Sequence, residues 1–324
     1  MQMKNVLQRY KGDLKEVDRF LEKHYSSYIN LIPEITDHII QSGGKRFRPL
    51  LLIISSDLCG YQGDRRYSLA AVLEFLHTAS LLHDDVIDHA DTRRGKPAAN
   101  NIWGNSASVL VGDFLYSQAF KLMIEDGNPS IQKLLSSTAV TMVEGETAEL
   151  IKCNDINITE EECLSVIEKK TAILISAACT TGAMLAKAPE TTIDALTEFG
   201  MKLGIAFQLT DDTLDYVASE KEFGKTTGMD LRDGKVTLPL IWTLKKCSPA
   251  EKELATKILA SKNINEDNII EIISLINKHG GIDYALNKAE EYIKEATSSL
   301  ESFDDSIPKD ALLAISDYIV ARRF

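Results

Sequence analysis

An all-α protein is predicted by three observations. Apolar residues recur at spacings of three and four rather than two, as in "YSLAAVLEFLHTASLLHDDVIDHA", where Leu69, Val72, Leu73, Leu76, Ser80 and Leu81 fall along one side. The stretches between breaks have the length of ordinary to long helices. Each break carries glycine, proline or a helix-capping residue type.

Taken in order, "MQMKNVLQRYKGDLKEVDRFLEKHY" mixes charge with apolar residues at helical spacing. It has no uninterrupted apolar core, so it is not a secretory signal, and its acids argue against a transit peptide. The break "SGGKRFRP" precedes "PLLLIISSDLCG", an apolar helix shorter than the roughly 20 residues a membrane span requires. A long helix then runs through "LLHDDVIDHA" to the break "TRRGKPAANNIWGNS". The helix "SVLVGDFLYSQAFKLM" ends at "EDGNPS", and "TAILISAACTTGAMLA", also too short to span a membrane, ends at "AKAPET". The next helix carries "QLTDDTLDY" into the long break "ASEKEFGKTTGMDLRDGKVTLP". Breaks at "KCSPAE" and "NKHGGIDY" divide the remainder. No linker, composition shift or repeat of 20 to 50 residues partitions the chain, so a single all-helical domain over 1–324 is expected.

Composition narrows the function classes. The 36 Lys+Arg against 48 Asp+Glu give a formal net charge of -12, which argues against nucleic acid and against a polybasic membrane anchor. The 5 cysteines, Cys59, Cys153, Cys163, Cys179 and Cys247, are scattered without paired spacing, so neither a zinc knuckle nor a disulfide framework is suggested. They read as reduced thiols of a soluble, cytoplasmic protein.

The pattern Asp-Asp-x-x-Asp occurs twice, as Asp84, Asp85, Asp88 and as Asp211, Asp212, Asp215. On a helix the first and last acids stack one turn apart and repel by a few tenths of a kcal/mol, so water or a cation must occupy the gap. One such pattern reads first as a solvated face. Two, each embedded among apolar residues such as Leu82, Val86, Phe207 and Leu209, point into a cavity or at a partner. Hard carboxylate oxygens without neighbouring thiols suit Mg²⁺, with Mn²⁺ as a substitute, and Mg²⁺ binds through one or two carboxylates plus substrate phosphates. Basic groups that fit phosphate lie in the breaks: Lys45, Arg46 and Arg48; Arg93, Arg94 and Lys96; Lys221, Lys225, Arg232 and Lys235. Each basic segment alone would be a solvated turn, and the conjunction with the acids lifts it above that. The glycines near Lys45 make no Walker loop, and His77 with His83 lacks zinc spacing.

In this order "GGKRFRP", "LLHDDVIDHADTRRG", "GDFLYSQAF", "EKKTA", "FQLTDDTLDY" and "GKVTLP" resemble the trans-prenyl diphosphate synthases, over roughly residues 35 to 240. The resemblance implies antiparallel helices around a deep central cavity and a homodimer. It implies Asp84 and Asp88, and Asp211 and Asp215, as Mg²⁺ ligands, with Asp85 and Asp212 acting behind them. Arg93, Lys170 and Lys225 resemble contacts to an allylic diphosphate, with Lys235 closing from the loop. Lys45, Arg48, His77 and Arg94 resemble the isopentenyl diphosphate site, and Thr171 and Gln208 the oxygens that face an allylic carbocation. The implied reaction ionises an allylic diphosphate, farnesyl or geranylgeranyl, and couples the cation to isopentenyl diphosphate. Asp84, Asp88, Lys170, Thr171, Gln208 and Asp211 are the catalytic candidates.

Chain length is expected to depend on what lies beneath the first motif. Ala79 and Ser80 are small and leave a path open, while Met123, in register with Leu115 and Ala119, is a candidate floor. With the resemblance of "SASVLVGDFLYSQAF" to octaprenyl synthases, this favours an octaprenyl product serving as a quinone side chain. Heptaprenyl, nonaprenyl, decaprenyl and geranylgeranyl products stay open. A class I terpene cyclase is disfavoured by the second motif and the basic site, and a regulatory subunit by the retention of both. Arg322 and Arg323 read as solvent-facing. Release of so apolar a product implies transient membrane contact.

Overall fold

The computed structural model of the chain describes residues 1–43, 45–217, 228–261 and 264–321. Its elements run α1 (Met3–Arg9), α2 (Lys11–Tyr25), α3 (Leu31–Gln41), α4 (Phe47–Leu58) and α5 (Arg65–Ile87). A two-strand hairpin, β1 (Thr92–Arg93) and β2 (Lys96–Pro97), follows, then α6 (Ala99–Trp103), α7 (Asn105–Asp126), α8 (Pro129–Lys152) and α9 (Glu160–Ile167). A π-helical turn, Glu168–Ala172, joins α9 to α10 (Ile173–Leu185). Next come α11 (Glu190–Val217), α12 (Met229–Arg232), α13 (Leu238–Lys246), α14 (Pro249–Leu259), α15 (Glu266–Lys278), α16 (Gly281–Ser298) and α17 (Ile307–Ala321). The expected all-α class is what the chain adopts. Among the described residues no helix is long and apolar enough to cross a membrane.

Two compact units emerge from the contacts. One comprises Met1–Ala139, Leu174–Gly200 and Leu300–Ile315; the other comprises Val140–Ile173, Met201–Ser299 and Ser316–Phe324. In the first, Leu50 to Ile54 of α4, Leu69 to Leu73 of α5 and Ala177 to Cys179 of α10 are essentially inaccessible. Such helices are apolar on nearly every face because neighbours surround them. Burying each leucine or isoleucine contributes about 2 kcal/mol. In the second, Ile272 and Ile276 of α15 and Ala285 and Ala289 of α16 are buried while intervening residues are half-buried or exposed, an ordinary amphipathic pattern.

Local chemistry accounts for the boundaries. Thr159, Ser248 and Asn265 each start a helix by accepting the backbone N–H three residues on, which donates to the side-chain oxygen. The anticipated breaks at residues 42–43 and 45–46, 127–128, 186–189, 247–248 and 279–280 are present. The hairpin is a difference from the expectation. Arg94 (φ 52°) and Gly95 (φ 74°) both take left-handed backbone, as a tight two-residue hairpin turn demands, and the pairing of Thr92 with Pro97 follows. Further breaks at 26–30, 59–64, 153–159 and 299–306 also separate helices.

Candidate active site

The first aspartate motif closes α5. Asp84 and Asp85 lie in its last turn and Asp88 caps it, the Asp88 N–H donating to the Asp84 carbonyl at 2.8 Å. Three acids at a helix C-terminus oppose the helix dipole, so each needs compensation. Asp85 finds it within the chain. It is 1% exposed, and Arg93 donates to its Oδ1 through Nε at 2.7 Å and Nη2 at 2.5 Å. Burial pushes the Asp85 carboxyl up, and Arg93 works against that. Arg93, expected at an allylic diphosphate, is therefore engaged by Asp85. Asp84 and Asp88 stay half-buried on the neighbouring face, and their acids suit an external cation. Tyr116 of α7 feels Asp84: burial first, then that carboxylate, raises its phenol to about 12.

One face of α5 carries His77, Ser80 and Asp84, each about one turn beyond the last. Burial and the nearby Arg48, Arg94, Arg93 and Arg46 hold His77 well below the usual imidazole range, so it is neutral. Burial also lowers Arg48, to about 10, and Arg94. The sequence-derived members Arg48, His77 and Arg94 thus share one electrostatic neighbourhood, beside exposed Lys45. Ala79 is fully buried and Ser80 half-buried, its hydroxyl donating to the His77 carbonyl at 2.9 Å. Met123 is 2% exposed in α7, and its carbonyl accepts from Gln132.

The second motif occupies the end of α11. Asp212 is buried, with Gln208 Nε2 donating to its Oδ1 at 2.6 Å and Thr171 Oγ1 donating to Gln208 Oε1 at 3.0 Å. Thr171 and Gln208, assigned together from the sequence, are directly linked. Lys170 Nζ sits between Glu146 (2.7 Å) and Glu149 (2.5 Å), and Lys235 Nζ is 3.9 Å from the same Glu149 oxygen. Gly145 makes this possible: a Cβ there would meet the Lys170 nitrogen at 2.6 Å, so only glycine lets α8 lie against the π-turn. Asp215 accepts the Asp230 N–H at 3.0 Å through Oδ2, and its carbonyl accepts from Gly228. Lys225 lies outside the described residues, as do Lys221, Arg322 and Arg323.

Glu149, Lys170, Thr171, Gln208, Asp212, Asp230 and Lys235 line one small cleft. Burial, partly offset by Gln208 and reinforced by Asp211 and Glu149, pushes Asp212 up to about 7. Burial and the carboxylates of Asp212 and Asp215 raise Asp230 well above its ordinary value. Carboxylates crowded in this way fit a divalent cation, which neutralises them without adding bulk. Among the described residues no three acidic, histidine or cysteine groups converge into a ready-made metal cage. A cation held by one or two carboxylates and substrate phosphate requires none. Glu146, Glu149 and Asp230 were missed by sequence reasoning. The i, i+3 pair Glu146 and Glu149 was the available signal, and Asp230 had none.

A model of the polyprenyl synthetase family matches residues 29–276. The chain is 35% identical to an octaprenyl diphosphate synthase of Escherichia coli, covering 99% of each. It is 37% identical to a geranylgeranyl diphosphate synthase of Sulfolobus acidocaldarius, covering 96% of each. The crystal structure of a polyprenyl synthase from Caulobacter crescentus, complexed with calcium and isoprenyl diphosphate, matches with a TM-score of 0.96 at 36% identity, covering 100% of this chain and 98% of that one. Fold and site together define an all-α enzyme of the isoprenoid synthase class, a prenyltransferase. The chain belongs to the polyprenyl synthetase family, and its activity is that of a trans-prenyl diphosphate synthase.

Proposed function

We propose that the enzyme extends an allylic diphosphate, farnesyl or geranylgeranyl, by successive additions of isopentenyl diphosphate to give octaprenyl diphosphate. The observation that carries the length is the His77, Ser80, Asp84 column of α5, where a small half-buried residue stands one turn before the motif. A growing tail meets no bulk there. Asp84 and Asp88, and separately Asp211 and Asp215, are the residues that would hold Mg²⁺, with Mn²⁺ as a substitute. The cation supplies charge neutralisation of the departing diphosphate. Lys170, Lys225 and Lys235 bind that diphosphate, a role that the sequence resemblance also implies for Arg93. Thr171 and Gln208 present oxygens to the allylic cation, and Lys45, Arg48, His77 and Arg94 orient isopentenyl diphosphate. The attacking double bond forms the new bond, and a proton leaves to the released diphosphate. The chain's work is positioning and exclusion of water.

Purified protein incubated with farnesyl diphosphate, labelled isopentenyl diphosphate and Mg²⁺ should yield mainly octaprenol after dephosphorylation, and Ser80→Phe should shorten it. Geranylgeraniol as the main wild-type product would replace the octaprenyl reading with that of the Sulfolobus relative.

The proposed setting is cytoplasmic, with the product feeding a quinone side chain, and the proposed assembly is a homodimer. Leu110 and Ile124 of α7 are 67% and 72% exposed, an apolar load suited to a second copy. Light scattering on the eluted protein should give twice the 35.9 kDa chain mass, and Leu110→Glu should reduce it towards one.

A further inference from the structure

Glu74 is a buried carboxylate that the reaction outlined above leaves without a part. It lies on α5 three residues before His77 and is 7% exposed. Arg46 Nη1 donates to its Oε1 at 3.0 Å, and Arg46 Nε donates to Asp18 Oδ1 at 3.0 Å. Arg46 caps α4 in left-handed backbone (φ 46°, ψ 48°), an unfavourable region for a side chain other than glycine. That turn separates Lys45 from Arg48 and so sets where both begin.

Charge gives Glu74 a wider reach. Among the influences on Arg46, Arg48 and Arg94, its carboxylate is the one that favours the cationic form in all three, against burial and against the neighbouring guanidiniums. Arg48 Nε is buried and has no hydrogen-bond partner among the described residues. Without an internal anion, cations so crowded would separate or take up water.

We propose that Glu74 is a positioning residue for the isopentenyl diphosphate site. It fixes Arg46 in the turn that begins α4 and is the counter-charge around which Arg48 and Arg94 stay assembled before substrate arrives. It does not touch the substrate. This rests on the reading of Lys45, Arg48, His77 and Arg94 as that site.

A bare anion among phosphate-binding groups has the opposite consequence: it competes with phosphate, and removing it tightens binding. Glu74→Gln separates the two, because it keeps the shape and an oxygen for Arg46 and removes the charge. Steady-state kinetics with each substrate varied should show the KM for isopentenyl diphosphate raised about tenfold, the KM for farnesyl diphosphate changed less than about twofold, and kcat far less affected than KM. Arg46→Gln should give the same split, and the double variant should be no worse than either alone. An unchanged or lowered KM for isopentenyl diphosphate, or equal rises for both substrates, would overturn the proposal. If circular dichroism shows Glu74→Gln unfolded, Arg46→Gln provides the same reading. Arg48→Ala is the control for the site: no rise in the KM for isopentenyl diphosphate there sinks the site assignment itself, independently of Glu74.

Discussion

Asp84 and Asp85 are adjacent in the chain and meet opposite surroundings. Asp85 is inside and bonded to Arg93, whereas Asp84 is half-open on the next face. Asp85→Asn should release Arg93 and cost about 1–3 kcal/mol of stability, read from the urea midpoint. Asp84→Ala should leave the midpoint within about 0.5 kcal/mol, since it removes a repulsion at a helix C-terminus. Turnover should fall by orders of magnitude in Asp84→Ala and in Asp211→Ala with the helical circular-dichroism signal intact. Unchanged turnover in both would remove the metal-binding role. The aspartates were legible because acids repeated at one spacing on two apolar helices repel one another unless a cation meets them. Asp230 was not, because an isolated acid gains meaning only from what folding brings beside it, here Asp215, and the spacing of Glu146 and Glu149 becomes informative only beside Lys170 and Lys235.

At the scale of elements, the site depends on places where helices depart from regularity. The π-turn 168–172 presents Lys170 and Thr171, and the close approach of the α8 backbone to it falls at Gly145. Gly145→Ala should push the two apart, cost about 1–3 kcal/mol through overpacking and raise the KM for the allylic substrate more than that for isopentenyl diphosphate. Equal changes in both constants would show that the contact is only structural. Helix positions followed from periodicity and capping residues, although the break before α9, which Thr159 and Glu162 cap, was not anticipated. Neither was the hairpin, since a pairing of Thr92 with Pro97 is too short to leave an alternating pattern. Nor was the π-turn, because "EKKTA" reads as ordinary helix.

For the molecule as a whole, stability should depend on acid through His77. Its imidazole is held neutral when folded, by burial and four arginines, but takes a proton near pH 6.5 when unfolded. Below that pH the unfolded imidazole binds a proton that the folded one does not, so the contribution of His77 is full above about 6.5 and is lost as pH falls. The loss is at most about 1.4 kcal/mol per pH unit. Because burial raises Asp212 and Asp230 in the folded protein and so acts in the opposite sense over this range, the test is a difference: between pH 7 and 5 thermal unfolding should lose more stability, or gain less, in the wild type than in His77→Gln, and equal slopes in the two would mean that His77 contributes none of it.

The π-turn also limits how the sequence can change. A π-turn is a helix carrying one residue more than its turns require, which offsets the faces on either side by about 100°. Cys163 and Ile167 are buried before it, and Leu174 and Ile175 after it, so each set meets its own neighbours only while the surplus residue remains. Loss of one codon anywhere in 168–172 would rotate one set away from its contacts. This segment should therefore tolerate substitutions at exposed positions such as Lys169 yet reject single-residue deletions.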